Sequence, residues 1–192
     1  MAVLLVLAGP SGVGKGTVGR ALLARVPNLG WSVSATTRDR RPDEVDGTDY
    51  HFVTRGQFEQ SRDAGGFLES FEVYGQLKGT PREPVEARLA AGEDVLLEID
   101  VQGALAVKDQ YPDALMIFLQ APNPETQQAR LRERGSDDSE QIRRRLATAA
   151  AEEALADRFD AVVVNDDLER AVGEVAAILG ERRRRTSPGG LS

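Results

Sequence analysis

The stretch Gly9-Pro10-Ser11-Gly12-Val13-Gly14-Lys15-Gly16-Thr17 constrains this chain more than any other. It follows the wholly apolar run Val3 to Ala8, and after it Val18, Ala21, Leu22, Leu23 and Val26 recur at helical spacing. Buried strand, glycine loop and helix, in that order, are the setting of a phosphate-binding loop. Glycines let the backbone turn sharply and approach a ligand closely. Successive N–H groups then converge at a helix N-terminus, which carries partial positive charge, and Lys15 adds a full charge. A glycine-rich strand-to-helix turn with no ligand would not account for the lysine. One position departs from the usual pattern. Gly16 stands where Ser or Thr commonly ligates a metal ion, and the hydroxyl comes one residue later, on Thr17.

Length and composition narrow the possibilities. A chain of 192 residues can bury a sizeable core as one domain. The absence of cysteine excludes disulfides, Cys-based zinc sites and thiol chemistry, and fits a reducing cytoplasm. The N-terminal apolar run is too short to span a bilayer and lacks a basic flank, so it reads as a first strand rather than a signal peptide. A net charge of −7 argues against a nucleic-acid-binding face as the main function, and no membrane partner is expected. Positive charge for phosphates must then be concentrated locally. The only histidine, His51, lies in an alternating strand and is given no role.

The remaining pattern alternates strand and helix, which predicts an α/β protein with a doubly wound parallel sheet. Helix is expected over Lys15–Arg25 and strand over Trp31–Ala35. Strand follows at Tyr50–Val53, a short helix at Phe58–Arg62, and strand at Phe67–Tyr74. A helix opens at Pro81 and Pro84 and stops at Gly92. Strand at Asp94–Asp100 leads to helix Ala104–Gln110, then strand Ala114–Leu119. Two arginine-rich helical pieces flank the polar turn Gly135–Ser139, and an alanine-rich helix covers Ala147–Ala156. A last strand begins at Phe159 and ends at Asn165. A helix from Leu168 stops at Gly180, and Arg182–Arg185 read as a solvated tail.

Arg38, Arg40 and Arg41, followed by Tyr50, suit a phosphate monoester, because guanidinium forks bind phosphate oxygens bidentately and a phenol donates one more bond. The same residues also fit a solvated loop with ion pairs to Asp39, Asp43 and Glu44. The carboxylates Glu98 and Asp100 end an apolar strand, where ligands gather in parallel sheets, or they serve as caps for the next helix. The arginines between Glu125 and Leu146 fit either charge stabilisation of phosphoryl transfer or ordinary helix-surface ion pairs.

The segment Ser34-Ala35-Thr36-Thr37-Arg38, continued by Arg-Pro-x-Glu-x-Asp-Gly-x-Asp-Tyr-x-Phe to Phe52, resembles the nucleoside-monophosphate-binding signature of the guanylate kinase family. The resemblance covers nearly the whole chain apart from its C-terminal tail. It implies a P-loop kinase fold: a parallel sheet flanked by helices, an inserted mixed-β GMP-binding lobe and a helical lid. Residues 1–33, 81–124 and 146–186 would form the core, 34–80 the lobe, 125–145 the lid and 187–192 a disordered tail.

The resemblance further implies ATP and GMP as substrates and Mg²⁺ as cofactor, bound through phosphates and water rather than by direct protein ligands. ATP would sit on Gly9, Pro10, Ser11, Gly12, Val13, Gly14, Lys15, Gly16 and Thr17, with Arg134 and Asn165 at the adenine and lid side. GMP would meet Ser34, Arg38, Arg41, Tyr50, Glu69, Lys78, Thr80 and Asp100. A carboxylate at Glu69 can accept from N1–H and the N2 amine of guanine, whereas adenine offers neither donor. Thr80 would face O6. Lys78 stands where the family commonly has a phosphate-binding tyrosine. Lys15, Arg38, Arg130, Arg134 and Arg145 carry the catalytic charges on this reading, and Arg132, Arg143 and Arg144 are surface residues. Two other readings share the core: a kinase for another acceptor, which would not need Glu69, and a non-enzymatic interaction module, which would not need Lys15.

Overall fold

The computed structural model describes residues 1–73, 75–133 and 139–186. In chain order the elements are β1 (Leu4–Ala8), α1 (Lys15–Arg25), β2 (Leu29–Trp31), β3 (Ala35–Thr36), β4 (His51–Phe52) and α2 (Arg55–Asp63). There follow β5 (Phe67–Val73), β6 (Gln76–Pro81), α3 (Arg82–Ala90), β7 (Asp94–Glu98), α4 (Val101–Gln110) and β8 (Leu115–Gln120). The chain continues through α5 (Pro124–Glu133), α6 (Ser139–Glu153), β9 (Ala161–Val164) and α7 (Leu168–Thr186).

Five strands form a parallel sheet in the order β2-β7-β1-β8-β9. Every residue of β1 is buried, as expected of a parallel strand covered by helices on both faces. Its period-two alternation divides the core. Leu5 and Leu7 pack with Val18 and Leu22 of α1 and with Val172, Val175 and Leu179 of α7. Leu4 and Val6 point the other way, toward Val85, Val101, Ala104 and Val107. The glycine loop therefore emerges from the middle of a sheet held on both sides.

A second, mixed sheet has the order β4-β3-β6-β5. Strand β3 is parallel to β4 and antiparallel to β6, and β5 is antiparallel to β6. Its small core is Ala35, Phe58 and Leu77, with Phe58 stacked on Phe67 at a centroid distance of 4.3 Å. The capping box of Thr54 and Gln57 starts α2, and Phe58 seats that helix on the sheet.

Three expectations change. The strand expected over Trp31–Ala35 is two strands in different sheets: Trp31 pairs with Leu96, and Ala35 pairs with His51 and Gly79. Alternation marks extended chain but not the sheet it joins. The lid's second helical piece and the alanine-rich segment are one helix, α6, which runs across position 145 without interruption. Finally, α7 passes through Gly180 and takes in Arg182–Arg185. Glycine inside a helix costs about 1 kcal/mol, and tertiary anchoring offsets it. Arg182 donates to Asp113 O at 2.6 Å, and Arg183 donates to Asp94 Oδ2 at 2.6 Å and Pro27 O at 3.0 Å. Tyr74 and residues 187–192 lie outside the described residues.

Candidate active site

The glycine loop connects β1 to α1. Gly12 (φ 86°) and Gly14 (φ 92°) are in the left-handed region, where a Cβ is strained. A Cβ on Gly14 would also lie 2.6 Å from Asn165 Nδ2. Gly14 caps α1 with no side-chain hydrogen bond, so the first N–H groups of that helix remain available to an anion.

The loop's carbonyls are held from behind. Gln127 Nε2 donates to Ser11 O at 2.7 Å, and Asn165 Nδ2 donates to Val13 O at 2.8 Å. Arg130 donates to Val13 O at 3.3 Å and to Asn165 O at 2.9 Å. Ser11 O and Val13 O are thereby satisfied from behind the loop, while Gly9 O and Pro10 O accept from Lys15. Arg130, expected among the lid's catalytic charges, thus braces the loop in this structure, and Asn165 does the same. Gln127, which the sequence reading missed, is buried beside them. It stands one turn before Arg130 in a polar helix, and nothing in the sequence marks it.

Lys15 Nζ donates to Gly9 O at 2.5 Å and to Pro10 O at 3.1 Å. Burial lowers its pKa, and the nearby carboxylates Glu98, Glu152 and Asp100 oppose that shift. Asp100 accepts from Gly103 N at 2.8 Å and caps α4, so its helix-cap role is realised. Burial also raises the pKa of Asp100 and of Glu152. Glu152 was another residue the sequence did not single out. Glu98 Oε2 lies 3.3 Å from the point where a Cβ on Gly16 would stand.

On the lobe, Arg38 forms a two-pronged ion pair with Glu44, with Nη2–Oε1 at 2.6 Å and Nη1–Oε2 at 2.9 Å. Its guanidinium lies 5.4 Å from the Tyr50 ring centroid and 5.5 Å from that of Phe52. Lys78 Nζ is 3.4 Å from Tyr50 Oη and 5.0 Å from the centre of the same ring. Glu69 and Thr80 face each other across β5 and β6. Thr80 Oγ1 donates to Glu69 Oε1 at 2.6 Å, whereas Glu69 Oε2 is buried with no partner among the described residues. Burial raises the pKa of Glu69 to about 7. The charge of Asp100 adds to the rise, and the Thr80 bond opposes it. His51 is exposed.

One cavity of about 780 Å³ joins these parts. Its wall includes Pro10, Ser11, Gly12, Gly14 and Lys15 of the loop, and Ser34, Arg38, Arg41, Tyr50, Glu69 and Lys78 of the lobe. Glu44, Glu98, Asp100, Arg144, Arg145 and Glu152 line it as well. Arg144, read from sequence as a surface residue, is exposed yet stands at this wall. Arg132 and Arg143 are exposed and line a separate, smaller hollow between α5 and α6. Among the described residues, Gly9, Val13, Gly16, Thr17, Thr80, Arg130 and Asn165 are not on the cavity wall. Thr80 is fully buried beneath Glu69, and Thr17 is exposed. Arg134 lies outside the described residues.

A glycine loop at the carboxyl end of a central parallel strand, facing a second lobe rich in cationic side chains, defines a P-loop kinase. A shikimate kinase structure from Bacteroides thetaiotaomicron shares the fold, with a TM-score of 0.51 at 18% identity over 93% of this chain and 96% of that one. The chain belongs to the guanylate kinase family, whose model matches residues 1–182. A guanylate kinase of Symbiobacterium thermophilum is 48% identical over 99% of this chain and 90% of its own length. The crystal structure of a guanylate kinase from Anaplasma phagocytophilum superimposes with a TM-score of 0.79 at 34% identity, covering 96% of this chain and 88% of that one.

Proposed function

We propose that this protein transfers the γ-phosphoryl group of ATP to GMP, giving ADP and GDP. The observation that carries the reading is the unpartnered Oε2 of Glu69. Buried polar atoms are almost always hydrogen-bonded, so a half-satisfied buried carboxylate in a cavity wall calls for a ligand with donors. Guanine supplies two on adjacent atoms, N1–H and the N2 amine, and adenine supplies neither. Thr80 gives its only proton to Oε1 and is buried off the cavity wall, so it orients Glu69 and would meet O6 only by releasing that bond, while Asp100 is suited to the amine side of the base.

The acceptor's phosphate would meet Ser34, Arg38, Arg41 and Tyr50. Lys78 substitutes a point charge for a phenol there. The donor's phosphates would lie on the open N–H groups of the loop and α1, with Lys15 released from Gly9 O and Pro10 O to meet them. Lid arginines, Arg145 and Arg134 among them, would add positive charge as the transferring group develops negative charge on its oxygens. Arg130 and Asn165 contribute by holding the loop and the adenine side. Direct in-line transfer needs only that the two phosphates be aligned and water excluded.

The residues also fit a divalent ion. Glu98 ends β7 and Asp100 caps α4, and Gly16 keeps a side chain away from Glu98. Mg²⁺ would be held by the phosphates and water, with these carboxylates behind the water, and would neutralise charge between the β and γ groups when bound. No helix among the described residues is long and apolar enough to cross a membrane. Together with the lack of cysteine this supports a cytoplasmic enzyme.

Glu69→Gln tests the reading. It exchanges one acceptor oxygen for a donor, so KM for GMP should rise about 100-fold or more while KM for ATP stays within a few-fold. Equal losses for both nucleotides would remove Glu69 from base recognition.

A further inference from the structure

We propose that Glu44 is a positioning residue for the acceptor's phosphate, acting by fixing which edge of Arg38 is left open. This rests on the assignment of the lobe to a nucleoside monophosphate.

A guanidinium carries five N–H donors arranged as two forks, one at its end and one along its side. Glu44 occupies the end fork through Oε1 and Oε2. The second Nη1–H donates to Asp39 O at 2.7 Å. Nε–H and the second Nη2–H, which form the side fork, have no partner among the described residues. They are parallel donors spaced to take two oxygens of one phosphate. The rings of Tyr50 and Phe52 lie against the same guanidinium and restrict its rotation. Glu44 reaches further than Arg38. Its Oε2 accepts from Arg41 N at 2.9 Å, and its backbone carbonyl accepts from Arg40 Nη1 at 2.9 Å. One carboxylate therefore sets the plane of Arg38 and the backbone at Arg41, both of which line the cavity.

An opposing role is chemically possible. A carboxylate paired with an arginine in an anion site can compete with the incoming anion. The geometry argues against competition, because the fork Glu44 takes is not the one left open. The bond to Arg38 also holds the Glu44 carboxyl below its ordinary range, so the clasp is ionised throughout the neutral pH range.

The two roles predict opposite signs. Steady-state kinetics of wild type, Glu44→Gln, Arg38→Ala and the double variant, with GMP and ATP varied in turn, separate them. Wild type must first turn over GMP, and its failure to do so would refute the proposed function rather than this inference. Glu44→Gln should then raise KM for GMP roughly 10- to 100-fold, as expected for loss of a charged hydrogen-bonded partner, with a smaller change in kcat and none in KM for ATP. In the Arg38→Ala background the same substitution should lose most of its effect, leaving only the share that acts through Arg41 N, because Glu44 works chiefly through Arg38. A fall in KM for GMP would make Glu44 a competitor and overturn the proposal. A fully additive effect in the double variant would overturn it too, since a general role in loop order does not require Arg38. Should Glu44→Gln not fold, Glu44→Asp carries the same cycle. It keeps the charge but is one methylene shorter and falls short of the guanidinium from the same backbone, and its KM increase should likewise shrink without Arg38.

Discussion

Thr80 Oγ1 donates a 2.6 Å hydrogen bond to Oε1 of Glu69 and leaves Oε2 of the same carboxylate buried without a partner among the described residues. The two residues are cross-strand neighbours, so the half-satisfied state is built into the register of β5 and β6. Such an arrangement costs stability in the free protein and is repaid only when a donor arrives.

The first prediction concerns pH. Glu69 titrates near 7 in the folded protein, against 4.5 ordinarily, because burial disfavours its charge. Below about 7 its neutral carboxyl presents a proton where guanine needs an acceptor. KM for GMP should therefore fall as pH rises through 7 and level off above it, and Glu69→Gln should lack that inflection. Titration of the GMP phosphate is common to both proteins and drops out of the comparison. Stability runs the other way. The folded state keeps this proton longer than the unfolded state, so the contribution of Glu69 to stability declines between pH 4.5 and about 7 and is constant above. Thermal melts without nucleotide should show wild type losing ground to Glu69→Gln across that window.

Lys15→Ala separates donor from acceptor. Among the described residues the lysine bonds loop carbonyls, and the charges acting on it are those of Glu98, Glu152 and Asp100, opposed by Lys78. Turnover should fall by about 100- to 1,000-fold, the usual loss for a charge directed at the transferring group. GMP affinity by calorimetry should stay within a few-fold. Near-normal turnover would mean that the loop is not the ATP site.

The end of α7 is latched to the start of the sheet. Buried Asp94 accepts from Arg183 Nε at 2.6 Å and from Val3 N at 2.7 Å, which ties α7, β7 and the approach to β1 together. Arg183→Ala removes one partner of a buried carboxylate and should cost about 1–3 kcal/mol in denaturant unfolding. KM for both nucleotides should remain unchanged, because the latch lies outside the cavity wall.

Much of this was legible in the residues, for identifiable reasons. The loop and α1 follow from glycine spacing and helical periodicity, and the wholly apolar β1 reads as a strand covered on both faces. Ser34, Arg38, Arg41, Tyr50, Glu69 and Asp100 are far apart in sequence but line one cavity. Ser34, Arg38, Arg41 and Tyr50 fall in one motif and Asp100 follows a strand, whereas Glu69, one glutamate inside a strand, is picked out only by the family resemblance. What the sequence hid depends on tertiary partners. Nothing local says that Trp31 and Ala35 belong to different sheets, or that Arg182 and Arg183 would carry α7 past Gly180. Arg130 stands in a charge-dense helix that reads equally as lid or surface, and only the fold reveals its bonds to Val13 O and Asn165 O. Gln127 carries no charge and no motif, yet it holds Ser11 O.

The central claim is that a guanine-reading carboxylate faces an ATP loop across one cavity. It is tested most directly by following ADP formation with ATP and Mg²⁺ while GMP, AMP, UMP and CMP are offered separately. Rapid turnover with GMP and at least about 100-fold lower kcat/KM with each of the others is expected, the discrimination typical of a site left with unpaired buried polar groups by the wrong base. Comparable kcat/KM for GMP and AMP would contradict the account.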